Sequence, residues 1–492
     1  MSITNALNNA LSGLRANGRL ADVTAGNLAN ALTPGYGRQS VDLSSQITGT
    51  QGTGVKVDGI SRALDPELSA ARRLADGDLA ERNAAFEGLT RLERSIGTVG
   101  DPGSLFQRLT EFEQALRQLG ETPENAARQD AAANAAKDLA DTFNRIGQDT
   151  VQLRAETDIE IGRTVDNLNT TLEEVARLNR QIQIAQAGGR NTAPLIDKRE
   201  AEIDKVAQVI PIRQTVRQDG VIELMTREGI GLVDIRAQKV EYAVTPVYEA
   251  GLSYGAGGTL SGLTLRGVDI TPGSGGVQTV RGGLLAGLFE VRDTIAPEFE
   301  AQVDSLAADL AGRLADPAID PTLAPGDPGL FTDDGGAFVL ANTTGFASRI
   351  SLNAAVDPEQ GGDPVALRDG LQALVARPTS DSTIIRALSD ALTVGSDVAL
   401  PPATPGLSGS LSLSGRVAGV IELLATDRVV TESEVSSLSG ARETLASEES
   451  AKLAVDTDDE LSNLIQIEQA YAANAQVVQT AARMLDELTR LR

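Results

Sequence analysis

The two ends of the chain carry the same seven-residue apolar repeat, which constrains the fold more than anything between them. Near the start, Leu7, Leu14, Ala21 and Leu28 fall seven apart, with Ile3, Ala10 and Leu11 filling the stripe. At the end, Leu464, Tyr471, Val478 and Leu485 keep that spacing, with Ile467, Ala481 and Leu488 at the second seam position. An apolar heptad marks a helix that needs a partner helix. Two such helices at opposite termini predict that the chain leaves a body, turns back and pairs its own ends. Asn474 also falls on the seam, where an amide costs stability and fixes register.

Several classes of function are excluded by what the chain lacks. It has no cysteine and no histidine among its 492 residues. Thiolate nucleophiles, cysteine-based zinc sites and Ser-His-Asp mechanisms are therefore absent. Tryptophan is missing and aromatics are 3%, so few residues can anchor a ligand ring. The net charge of -25 repels phosphate backbones and anionic lipid, so neither nucleic acid nor membrane is expected as a partner. Residues 1–60 differ from the rest. There Asp22, Asp42 and Asp58 face Arg15, Arg19, Arg38 and Lys56, a nearly neutral balance that lets copies pack together. No apolar run approaches the roughly 18–20 residues that span a bilayer. The N-terminus lacks the pattern of a cleaved secretory signal.

A chain of this length predicts several domains. Residues 1–32 read as one helix, stopped by Thr33-Pro34-Gly35-Tyr36-Gly37. Residues 41–60 read as a hairpin. Helical spacing dominates 64–187, and one helix runs from a Thr122 cap to Gly188-Gly189, on the order of 90 Å at ~1.5 Å per residue. A shorter helix spans Pro194 to Val209. Alternation then predicts a hairpin around Asp219-Gly220, with further strands at Leu232–Ile235 and Leu263–Leu265. Gly251–Gly262 and Gly273–Gly283 read as loops, and helix resumes at Ile295. Short strands are expected near Phe338 and Ile350, and a loop at 396–410. Thr431 with Glu434, and Thr457 with Glu460, read as capping boxes. Asp456, Asp458 and Glu460 mimic the start of an EF-hand loop. Leu461 stands where that loop needs glycine, so a solvated helix start is expected instead.

Ser12-Gly13-Leu14, Asn27-Leu28-Ala29-Asn30 and Thr33-Pro34-Gly35-Tyr36 resemble the N-terminal signature of bacterial flagellar axial proteins, the rod, hook and hook–filament junction subunits. Leu464-Ile465 and the run Glu468 to Thr480 resemble the C-terminal signature of that family. The helical middle, with Pro194-Leu195-Ile196-Asp197-Lys198-Arg199-Glu200, resembles the junction subunits rather than the largely β rod and hook proteins. The resemblance covers roughly 1–310 and 410–492.

The expected fold is mainly α with a smaller β part: a terminal coiled coil plus an elongated helical-bundle body with inserted β-hairpins. Residues 1–60 and 455–492 would form the terminal assembly domain. Residues 61–210, 284–315 and 411–454 would form the body, 211–283 a β-hairpin subdomain, and 316–410 a reduced outer domain of acidic, Pro/Gly-rich chain. The resemblance implies a non-enzymatic structural subunit without cofactor or metal, exported without a cleaved signal and located outside the cell in the flagellum. Its implied partners are copies of itself, the hook protein, the second junction protein and a cytoplasmic export chaperone at the C-terminal helix. The residues implied in assembly are Leu7, Leu11, Leu14, Asn27, Leu28, Asn30, Pro34, Tyr36, Leu464, Ile467, Tyr471, Asn474, Val478 and Leu485. Burying one stripe of side chains in the tail gives less than ordering its backbone costs, so the ends are expected to order only against each other and neighbouring subunits. Two other readings stand beside this one. A rod or hook protein would show helix content well below half, and an acidic hydrolase using carboxylates alone would show a cleft with two facing carboxylates.

Overall fold

The computed structural model describes residues 3–33, 36–48, 51–217, 219–255, 257–395 and 409–490. Helix makes up 61% of the protein, well above what a rod or hook subunit would carry. Helix α1 spans Ile3–Asn30 and is followed by an antiparallel hairpin, β1 (Gln39–Thr48) and β2 (Gln51–Arg62). Pro34, expected to stop α1, lies outside the described residues.

The body begins with α2 (Pro66–Ile96), α3 (Leu105–Glu121) and α4 (Ala126–Ala187). Helix α4 is one uninterrupted rod of 62 residues. It starts later than expected: Asn125, not Thr122, accepts the capping bond from the Arg128 N–H, at 3.3 Å. Thr122 instead ends α3, its N–H donating to Leu119 O. Helix α5 (Ala193–Val209) turns back, and β3 (Ile212–Val216), β4 (Ile222–Thr226) and β5 (Gly231–Val233) form a three-stranded antiparallel sheet. Three short strands, β6 (Val240–Glu241), β7 (Thr264–Leu265) and β8 (Val268–Asp269), make a second.

Helix resumes at Gly283, well before the expected Ile295. Helix α6 (Gly283–Glu290) runs through a π turn at Val291–Ile295 into α7 (Ala296–Arg313). Glycine-rich flanks hid α6 from the sequence reading. Its Gly287 is there for contact, since a Cβ at this position would lie 2.4 Å from Glu81 O of α2. The wider turn sits where Pro297 offers no N–H to the Asp293 carbonyl.

The short strands β9 (Phe331–Asp333) and β10 (Ile350–Leu352) pair antiparallel. The strand expected at Phe338 therefore lies earlier, at Phe331. Two short helices follow, α8 (Ala366–Asp369) and α9 (Thr383–Thr393), and two long ones end the chain, α10 (Leu413–Leu453) and α11 (Thr457–Arg490). Of the expected loop at 396–410, residues 396–408 lie outside the described ones.

Both expected capping boxes are replaced. Helix α10 passes straight through Thr431, whose hydroxyl donates to Asp427 O at 2.8 Å, and Ser412 is the cap. At α11, the Asp456 carboxylate accepts from the Asp458 and Asp459 N–H groups, at 2.9 and 3.3 Å.

Two cores share α4. Its first half places Ala132, Ala136, Phe143 and Leu153 against α3 and α7. Its second half places Ile161, Leu168 and Val175 against α5 and the small sheets. The segment expected as a reduced outer domain contributes Phe331, Phe346, Ile350, Leu367 and Leu388 to the first core. These side chains tie the segment to the body's core, while Leu340, Leu374 and Val375 of the same segment stay exposed. Charged groups are buried between the layers as pairs: Arg154 with Glu300 and Arg292 with Asp158, each at 2.8 Å.

Candidate assembly interface

The seam helices pair with each other, α1 against α11. The pairing is antiparallel. Gly13 lies on Asn474, where a Cβ would meet the amide at 2.8 Å, and Arg38, past the other end of α1, bonds Glu460 at 2.7 Å. In that register Ile3 stands near Met484, so Leu485 and Leu488 run on beyond the described start of α1.

The seam is only half covered. On α1 the fully buried residues are Ala10, Ala16, Val23, Thr24 and Asn27, while Leu7, Leu14 and Leu28 are half-buried and Leu11 is 38% exposed. On α11, Leu464, Ile467, Asn474 and Val478 are half-buried, and Ala481 is buried. Tyr471 is 49% exposed, Leu485 36% and Leu488 54%. Val477, Met484 and Leu488 form a second exposed stripe at spacings of seven and four. A helix with apolar residues on two flanks presents surface for more than one neighbour.

The polar residues of the N-terminal signature are held by local geometry. The Asn27 side chain bonds both backbone groups of Gln39: its Nδ2 donates to Gln39 O at 2.8 Å and its Oδ1 accepts from Gln39 N at 3.0 Å. The Tyr36 hydroxyl donates to the same Oδ1 at 2.9 Å. Asn27 thus fixes where the hairpin leaves the helix. Asn30 closes the end of α1, donating to Gly26 O at 2.9 Å. Ser12 accepts from the Val55 N–H at 3.1 Å, tying the returning hairpin to α1. Ser12 and Gly13 therefore face different neighbours, the hairpin and α11. Burial, with the carboxylates of Asp197 and Glu460 nearby, pushes the Tyr36 phenol up from its ordinary value.

The expected solvated start of α11 is partly wrong. Glu460 is 1% exposed and takes the Arg38 guanidinium, while the Arg38 N–H donates to Leu453 O at 3.1 Å. Glu460, expected only as a capping residue, and Arg38 and Gln39, to which the spacing assigned no contact, are thus part of the interface. An antiparallel register would have found the ion pair, because it brings the start of α11 to the end of α1.

No group of three or more Asp, Glu, His or Cys that could hold a metal ion occurs among the described residues, and no described helix is long and apolar enough to cross a membrane.

A family model described as the helical domain of the flagellar hook-associated protein FlgK matches residues 89–316. A second, the C-terminal region of the flagellar basal body rod proteins FlgEFG, matches residues 452–491. The chain is 24% identical to flagellar hook-associated protein 1 of Bacillus subtilis over 98% of its own length and 97% of the relative's. It is 23% identical to the protein of the same name from Escherichia coli over 99% of both chains. Its fold is similar to that of the flagellar hook junction protein FlgK from Burkholderia pseudomallei, with a TM-score of 0.57 at 14% identity, over 78% of this chain and 99% of the other. The paired terminal helices, the helical body and these near-full-length likenesses make the chain similar to the bacterial flagellar hook-associated proteins.

Proposed function

We propose that the protein is a structural subunit of the bacterial flagellum that forms the junction between hook and filament. The half-covered seam carries this reading. Helices α1 and α11 recognise each other within one chain, yet leave Leu11, Tyr471, Val477, Met484 and Leu488 for neighbours. Assembly into the axial structure buries those flanks, and the helical body forms the wall outside them. Leu7, Leu14, Leu28, Leu464, Ile467, Val478 and Leu485 act as packing residues, and Asn27, Asn30, Tyr36 and Asn474 set their geometry. No residue is assigned a catalytic role.

The partners that follow are further copies of the chain, the hook protein below and the second junction protein above. A cytoplasmic chaperone would cover the apolar flanks of α11 before export without a cleaved signal, which places the mature protein outside the cell. A strain lacking the protein should build hooks and shed filament subunits into the medium. Val478→Asp or Tyr471→Asp should leave the body folded by circular dichroism but block incorporation. Normal filaments on either variant would refute the reading.

A further inference from the structure

The terminal module (α1, the β1–β2 hairpin and α11) joins the body by two chain crossings, 63–65 into α2 and 454–456 out of α10. Lys452 Nζ bonds Asp65 Oδ2 at 2.9 Å, which sets the crossings side by side. Two adjacent crossings act as one swivel, leaving the module free to turn unless something holds it away from that point.

Asp197 of α5, within the run Pro194–Glu200, stands at such a place. Its Oδ1 accepts from Arg62 Nε at the base of the hairpin and from the Gly37 N–H, at 3.4 Å, in the segment after α1. The Arg62 and Asp197 side chains are 8% and 15% exposed, so water screens the pair little. Gly37 is buried under Arg62, and a Cβ there would lie 2.4 Å from Arg62 Nε. Any larger residue at 37 would push the guanidinium off the carboxylate.

Open space flanks this contact on both sides. A groove of about 600 Å³ separates Arg19, Val23 and Gly26 of α1 from Pro194 and Lys198 of α5. A second, of about 360 Å³, runs past Leu32, Arg62, Arg72 and Glu449. Both grooves open to solvent, so the module and body meet here through a strut rather than a continuous core.

We infer that Asp197 is the positioning residue that sets the angle between the terminal assembly module and the body. Arg62 and Gly37 are its counterparts on the module. The inference rests on the assembly reading only for its consequence, which is that each copy presents its body to the next at one fixed angle.

Distance measurements between spin labels test it on the full chain, which has no cysteine of its own. One label pair, Ala25→Cys with Glu173→Cys, spans module and body, and a second, Ala25→Cys with Ala472→Cys, lies within the module. The parent chain should give one narrow distance for each. Asp197→Ala should broaden the spanning distance and leave the internal one narrow. The swap of Arg62→Asp with Asp197→Arg should narrow it again. An unchanged spanning distance in Asp197→Ala overturns the inference. So does a broad internal distance in the parent chain, because the strut then has no formed module to hold. These outcomes are read in solution, and incorporation into flagella is scored separately, so failure of the functional reading is told apart from failure of the strut.

Discussion

The terminal module and the body bury different things. In the body, Phe112, Phe143, Phe289, Phe331 and Phe346 are almost fully enclosed, and even Arg154 and Arg292 are sealed in with their partners. In the module, the enclosed residues of α1 are two alanines, a valine, a threonine and an asparagine, while its leucines stand half in solvent. The body closes a core of large side chains within a single chain, and the module leaves the leucines of its seam only half covered. A surface meant for neighbours has to stay open before they arrive, and stability has to come from elsewhere in the molecule.

The largest test of that contrast is in the body. Phe112 packs edge-on against Phe331, with ring centroids 5.9 Å apart. Phe112→Ala should cost about 3–5 kcal/mol of body stability, read by denaturant unfolding. Leu14→Ala in the module should cost the isolated chain far less and still impair incorporation. Equal losses at the two sites would break the comparison.

The next test uses a buried acid. Asp304 of α7 accepts from the Gly345 and Ala347 N–H groups at 2.6 and 2.8 Å. Burial pushes its carboxyl up to about 7. In the unfolded chain the group titrates near 3.9. Its raised value contributes stability below about pH 4, and that contribution is lost as pH rises through about 7, by up to about 4 kcal/mol. The melting temperature of the wild-type chain should therefore fall relative to Asp304→Asn between pH 4 and 8. A constant difference would show that the two backbone donors already hold the carboxylate charged at low pH.

The third test sharpens the picture of the module. Asn27→Ala removes the clamp on both backbone groups of Gln39 and on the Tyr36 hydroxyl. It should cost about 1–3 kcal/mol, the penalty of stranding buried polar groups, and loosen the hairpin while the body melts unchanged. Hydrogen exchange at 39–48 and 51–62, compared with 126–187, separates the two regions.

Much of this architecture was legible in the chain. The heptads of Leu7–Leu28 and Leu464–Leu485 gave the two terminal helices, and the 3–4 spacing of Leu105 to Leu119 gave α3. The Asp219-Gly220 turn gave its hairpin. These features depend on periodicity and turn chemistry, which are local. Helix α6 was missed because its glycines read as loop until the close crossing with α2 explains them. The cap of α11 was misplaced for a similar reason: Glu460 looks like a capping residue until the end of α1 brings Arg38 to it.

By itself the sequence determined that both ends are helices in search of partners, that the body is a long helical rod, and that chemistry based on histidine or cysteine is impossible. Periodicity and composition are properties of the chain before it folds. Only the tertiary structure decided that the ends pair antiparallel and leave Leu11, Tyr471, Val477, Met484 and Leu488 exposed. It alone showed that Phe331, Phe346, Ile350, Leu367 and Leu388 pack into the body core, and that Asn27 and Asp197 bond the backbone and hairpin beside them. Those outcomes depend on which distant segments meet, and spacing along the chain carries no record of that.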